Sequence, residues 1–136
     1  MTDVFFTADL HFEHRNILRH QPNRPGDDIE AMGEAIIERW NATVTRRDEV
    51  WVLGDFSFGT PEQKARAFRR LNGSKHLVVG NHDSSSTTRL DWASVNELQA
   101  WKLKPHRAVL CHYPLLTWNG AHHGVWMLHG LSLIHI

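Results

Sequence analysis

Five short apolar runs each end on a side chain that can donate a lone pair, and this pattern constrains the fold more than any other feature of the chain. "VFFTA" (Val4 to Ala8) leads into Asp9-Leu10-His11, and "VWVLG" leads into Asp55. "HLVVG" leads into Asn81-His82-Asp83, "RAVLC" into His112, and "VWML" (Val125 to Leu128) into His129-Gly130. Runs of this length read as buried strands. Between them lie helical patterns, and a chain that alternates the two favours an α/β architecture. In open α/β sheets the carboxyl ends of the strands are where ligands bind.

The helical segments carry their own signals. Ile29, Met32, Ile36, Ile37 and Trp40 fall at helical spacing and predict a helix from Asp28 to Asn41. Asp27 or Asp28 caps it, with Glu30 in the favourable first turn. Thr60-Pro61 opens a second helix, which carries Ala65, Phe68 and Leu71 inward and stops at Asn72-Gly73. Glu49 to Leu53 and His76 to Val79 are strands. Ser84 to Thr88 is expected to be a polar loop. Glu97 to Leu103 and Arg107 to Cys111 read as two strands paired through a turn at Pro105. Lys64, Arg66, Arg69, Arg70 and Lys75 are expected on a solvated helix face rather than in a nucleic-acid patch. No internal repeat or linker divides the 136 residues, so one domain is expected.

Composition narrows the partners. Formal net charge is zero, so the overall balance recruits neither nucleic acid nor an anionic membrane. Cys111 is the single cysteine, and a reducing cytoplasm is the expected compartment. No apolar stretch approaches the roughly 18 residues that span a bilayer, and the N-terminal residues lack the basic start and apolar run of a signal peptide. Eleven histidines are an excess that points towards metal or acid–base chemistry only if position supports it.

Position supports it. Asp9 and His11 lie two apart, so in extended geometry both side chains share a face. Gly54 and Gly80 precede Asp55 and Asn81, and each lets the backbone turn and approach an ion closely. Carboxylate, amide oxygen and imidazole together suit Mn, Fe or Zn better than Ca or a thiolate-seeking metal. A carboxylate shared by two cations holds them about 3.5–4 Å apart, the spacing of two-metal hydrolytic sites. Singly, an Asp-x-His is commonly local hydrogen bonding, a Gly-Asp a turn, and His112 a half-buried histidine. Their ordered recurrence at strand ends is what carries the reading.

With these residues the chain resembles the calcineurin-like metallophosphoesterases. That family's ordered signature is Asp-x-His, Gly-Asp, Gly-Asn-His-Asp/Glu, a lone His, then Gly-His-x-His. Here the first four stand as Asp9-Leu10-His11, Gly54-Asp55, Gly80-Asn81-His82-Asp83 and Cys111-His112. The resemblance implies a two-sheet sandwich flanked by helices, and hydrolysis of a phosphate ester by water activated at a dinuclear metal centre. It implies Asp9 and His11 on the first metal, Asp55 bridging, and Asn81 and His112 on the second. His82 is implied to stabilise charge or protonate the leaving oxygen, with Asp83 either orienting His82 or making a structural hydrogen bond. "DLHFEHRNILRH", "NRP" and "CHYPLLTWNGAHHG" resemble a subgroup of small bacterial members, in which His14, Asn16, Arg24 and Asn119 would reach the substrate. A phosphorylated small molecule or nucleotide is the expected substrate. A nuclease is a second reading within enzymes, and a scaffold of the same fold that binds a protein or nucleotide is the reading outside them.

The last motif departs from the family. Gly130 is followed by Leu131-Ser132-Leu133, so leucines stand where the family has its two histidines. Leu131 to Ile136 (LSLIHI) is also what CTG TCT CTT ATA CAC ATC encodes, the mosaic end of transposase adapters used in sequencing libraries. We therefore expect residues 1–130 to be an incomplete phosphoesterase domain lacking its last strands, residues 131–136 to be a foreign tail, and activity to be impaired.

Overall fold

A computed structural model of the chain describes residues 2–14, 16–20 and 22–130. The tail at 131–136, including Leu131 and Leu133, lies outside the described residues. The elements run β1 (Val4–Thr7), α1 (Ile17–His20), α2 (Ile29–Thr43), β2 (Glu49–Val52), α3 (Pro61–Arg70), β3 (Ser74–Val78), α4 (Ser85–Thr88) and β4 (Ser94–Asn96). They continue through β5 (Leu98–Leu103), β6 (His106–Cys111), a 3-10 turn (Ala121–His123) and β7 (Trp126–Leu128).

Two sheets form. The first is parallel throughout in the order β1-β2-β3-β4, with Val4 opposite Glu49 and Glu49 opposite Ser74. The second has the order β5-β6-β7, with β5 antiparallel and β7 parallel to β6. Alternation along the strands divides the core between the two faces of the first sheet. Val50, Val52 and Leu77 pack with Ile37, Trp40 and Phe68 of the helices, whereas Trp51, Leu53 and Val78 pack with Ala108 and Leu110 of the second sheet. The result is the two-sheet sandwich with flanking helices.

Local chemistry explains where the helices start. Asp28 caps α2 by accepting from the Ala31 amide at 2.7 Å. Thr60 and Gln63 form a reciprocal capping box, with Pro61 at the first helical position. Both helices follow the sequence expectation within two residues. Ala65 is only half-buried, and it is Lys64 and Phe68 that α3 buries.

Two expectations need correcting. Ser84 to Thr88 is not a loop: α4 forms there, docked by buried Thr87, whose carbonyl accepts from the Trp92 indole at 2.8 Å. The basic cluster is not uniformly solvated. Lys64 is buried and donates to Ser84 Oγ and Ser86 Oγ, both at 2.8 Å. Lys75 is buried over the Phe68 ring and donates to the Leu71 and Gly73 carbonyls. Strand β4 was not foreseen, because Ser94–Asn96 is too short and too polar to read as one.

Candidate metal centre

The loops after β1 and β2 run side by side beyond the strands. Asp9 N donates to Gly54 O at 3.0 Å, His11 N to Asp55 O at 3.1 Å, and Phe12 N to Phe56 O at 3.2 Å. This pairing brings the Asp9–His11 and Asp55 side chains together. It does so without extended geometry. Asp9 (φ 56°), His11 (φ 55°) and Asp55 (φ 55°) are all left-handed, which corrects the sequence expectation for the first two. A non-glycine residue there costs about 1–2 kcal/mol, so three at one place is strain held by the surrounding structure.

Asp9, His11 and Asp55 are buried and present ligand atoms all within 4.8 Å of one another. Asp55 Oδ2 lies 3.5 Å from His11 Nε2 and also 3.5 Å from His112 Nε2. Asp55 Oδ1 is occupied separately, accepting from the His82 amide at 3.0 Å. On the far side, Asn81 Oδ1 is 2.9 Å from His112 Nε2. The donors expected from three strand ends and β6 therefore converge, with one carboxylate oxygen between two imidazoles.

The arrangement fits divalent cations. His112 Nδ1 donates to the Leu53 carbonyl at 2.7 Å, so in the neutral ring Nε2 carries a lone pair. Nε2 faces the Asn81 amide oxygen and the Asp55 carboxylate, so this place is satisfied by a positive charge, either a proton on the ring or a bound cation. His11 Nε2 is buried without a hydrogen bond, 3.9 Å from Asp9 Oδ1. Ligands at about 2.1 Å from a shared ion lie roughly 3.4 Å apart at tetrahedral angles, close to the N···O separations here. Charge preferences agree. Burial depresses the His11 imidazole, yet the Asp55 and Asp9 carboxylates more than offset it and raise its pKa. Burial pushes the Asp55 carboxyl up, but His11, the His82 amide and the field of His112 hold it below its usual value. The centre of the cluster favours positive charge.

Glycines make the close approach possible. A Cβ at Gly54 (φ 91°) would collide with the His112 ring and lie 2.7 Å from Gly80 Cα. One at Gly130 would lie 2.8 Å from His112 Nδ1 and 3.0 Å from Asp9 Oδ2.

The remaining expected residues sort differently. His82 is exposed at the rim, its ring 6.0 Å from that of His11. Asp83 accepts from three backbone amides, and among the described residues no contact joins it to the His82 ring. The Arg24 guanidinium donates to the Leu10 carbonyl at 2.7 Å and to the Asp9 carbonyl, which engages it on the turn that carries Asp9. His14 meets His11 through their Nδ1 atoms at 2.8 Å. Asn16 and Asn119 are exposed, and among the described residues no hydrogen bond ties their side chains to the cluster. Phe58 was missed. Its ring stacks on His14 at 4.2 Å and lies 5.5 Å from His11 and 5.2 Å from His82. Nothing local in "DFSFG" distinguishes Phe58 from Phe56, which is fully buried in the helix-side core.

The family model for calcineurin-like phosphoesterases matches residues 2–136. The chain is 33% identical over 86 residues to the Gene 66 protein of Mycobacterium phage L5, covering 61% of this chain and 41% of that protein. It is 29% identical over 132 residues to an uncharacterized protein of Methanocaldococcus jannaschii, covering 96% of this chain and 69% of that one. Among solved structures, a protein of unknown function from Aquifex aeolicus superposes with a TM-score of 0.68 at 27% identity, over 82% of this chain and 60% of that one. The chain thus spans from under half to about two thirds of the length of these relatives.

Proposed function

The chain belongs to the calcineurin-like phosphoesterase family, and from that premise we propose that it is built to hydrolyse phosphate esters at a pair of divalent cations. The observation that supports this most directly is Asp55 Oδ2, equidistant at 3.5 Å from the two imidazoles of His11 and His112. Asp9 and His11 would hold one cation, Asn81 and His112 the other, and Asp55 would touch both. The mixed oxygen and nitrogen set suits Mn, Fe or Zn. When bound, such cations supply an activated water and neutralise the charge that develops on the phosphoryl oxygens.

The chain's own residues do the rest. His82 stands exposed above the cluster, its backbone amide fixed on Asp55 Oδ1, so its ring is free to donate a proton or a hydrogen bond to the leaving oxygen. Phe58 walls the same side, shielding His11 from water. A phosphorylated small molecule or nucleotide is the substrate class we favour.

Leu131 and Leu133 stand where the family pattern has histidines, and leucine has no lone pair. We read this chain as impaired relative to one that carries them. The test compares the chain with its L131H/L133H variant. It measures Mn2+ equivalents bound and release of p-nitrophenol from p-nitrophenyl phosphate and its diester. The variant should bind two equivalents and turn over only with metal. Two equivalents without hydrolysis of either ester would favour a scaffold, and no metal bound by either protein would remove the phosphoesterase reading.

A further inference from the structure

Asp83 follows His82 directly, and a role for it through that ring is the obvious assumption. The geometry points elsewhere. Asp83 Oδ2 accepts from the Asp55 amide at 2.9 Å and from the Gly80 amide at 2.8 Å, while Oδ1 accepts from the Phe56 amide at 2.9 Å. Those amides belong to two different loops, one after β2 and one after β3. In return, the His82 amide donates to Asp55 Oδ1 at 3.0 Å. Asp55 is thus gripped twice from the same tetrapeptide, once by its backbone and once by its carboxylate.

A carboxyl group suits this place, although burial and the neighbouring Asp55 charge push its pKa up. When ionised it offers two acceptor oxygens and no donor, which matches three convergent N–H groups. An asparagine would point its own NH2 at one of them. Asp55 also has a left-handed backbone (φ 55°), a conformation that needs outside support in a non-glycine residue. The Gly80 turn leaves no room for adjustment: a Cβ there would lie 2.5 Å from Asp55 Oδ1.

We propose that Asp83 is a positioning residue, which locks the Asp55 carboxylate and the Gly80–Asn81 turn into ligand geometry before any cation arrives. The assignment of Asp55 and Asn81 as ligands rests on the phosphoesterase reading, whereas the clamp itself does not. Removing support of this kind around metal ligands typically weakens metal binding by about 10–100-fold.

Two measurements test it, on the full chain. The first is amide hydrogen exchange without metal. In wild type the Asp55, Phe56 and Gly80 amides should be protected, and D83N should speed their exchange roughly tenfold or more relative to amides elsewhere in the first sheet. The second is Mn2+ affinity by calorimetry, in wild type, D83N and F68L. Phe68 lies in the helix-side core, its ring 6.1 Å from that of Phe56, so F68L lowers thermal stability without removing a metal donor or a hydrogen bond to Asp83. D83N should bind Mn2+ about 10–100-fold more weakly while F68L binds as wild type. Should D83N fail to fold, D83E keeps the charge and should shift both readouts in the same direction. Unprotected amides in wild type, unchanged exchange in the variant, or Mn2+ affinity lowered equally by F68L would each overturn the proposal. If wild type bound no Mn2+ at all, the affinity comparison would be made in the L131H/L133H background, and the exchange data alone would still decide the clamp.

Discussion

Replacing Gly54 by alanine tests how tightly the strand ends are packed around the donors. Two costs add at this position. The backbone is left-handed (φ 91°), and alanine there costs about 1–2 kcal/mol. The new methyl would also overlap the His112 ring and approach Gly80 Cα to 2.7 Å, overpacking that typically costs about 1–3 kcal/mol. The sum is about 2–5 kcal/mol, a large part of the roughly 5–15 kcal/mol that stabilises a domain. Gly124 supplies the control. It too is left-handed (φ 77°), but a Cβ added there meets nothing within 4 Å. G124A should therefore show the backbone cost alone. Urea unfolding of both variants separates the two contributions: with a slope of about 1.5 kcal/mol per M, a steric cost of about 2 kcal/mol parts their midpoints by roughly 1.3 M. G54A should also weaken Mn2+ binding, because the methyl displaces the imidazole that Leu53 orients, whereas G124A should not. Coincident midpoints, with equal metal affinity, would refute the view that Gly54 is glycine because His112 and Gly80 crowd it.

Other outcomes follow from the same packing. Mn2+ at about 100 times its Kd should stabilise the chain by about 2.7 kcal/mol, and EDTA should reverse this; a melting temperature indifferent to both would mean the donors hold no metal. R24M should cost about 1–3 kcal/mol and weaken Mn2+ binding, since it strips the donor from the Asp9 and Leu10 carbonyls; R24K should fall between, and full affinity in R24M would show that the Asp9 turn stands unaided. The Asp3 and Thr45 amides hold the Asp48 carboxyl below its unfolded value. Its contribution is therefore complete above about pH 4 and is lost as pH falls through the lower folded value. Urea midpoints from pH 7 to 3 should converge for wild type and D48N at the acid end; parallel curves would contradict this.

Much of the architecture was legible because it is encoded locally. Short apolar runs, the Asp28 cap and the Thr60–Pro61 helix start each depend on residues a few positions apart, and both helices appear within two residues of their expected places. The ligand candidates Asp9, His11, Asp55 and Asn81 were legible because the parallel strands of the first sheet deliver their carboxyl ends to one edge, and His112 because it directly follows β6 of the second sheet. The conformation of Asp9 and His11 was not, because their left-handed turns depend on pairing with Gly54 and Asp55 more than forty residues away. The burial of Lys64 depended on hydroxyls supplied by a segment that read as loop.

Sequence alone determined which donor types this protein owns and that they sit at strand ends, because that information is carried by spacing along the chain. Only the tertiary structure decided the use of the remaining polar groups. Arg24 braces carbonyls, Asp83 gathers amides from two loops, and Phe58 packs among imidazoles. Such contacts are chosen by the register between β1, β2 and β3, and no local pattern of residues records which groups that register will bring face to face.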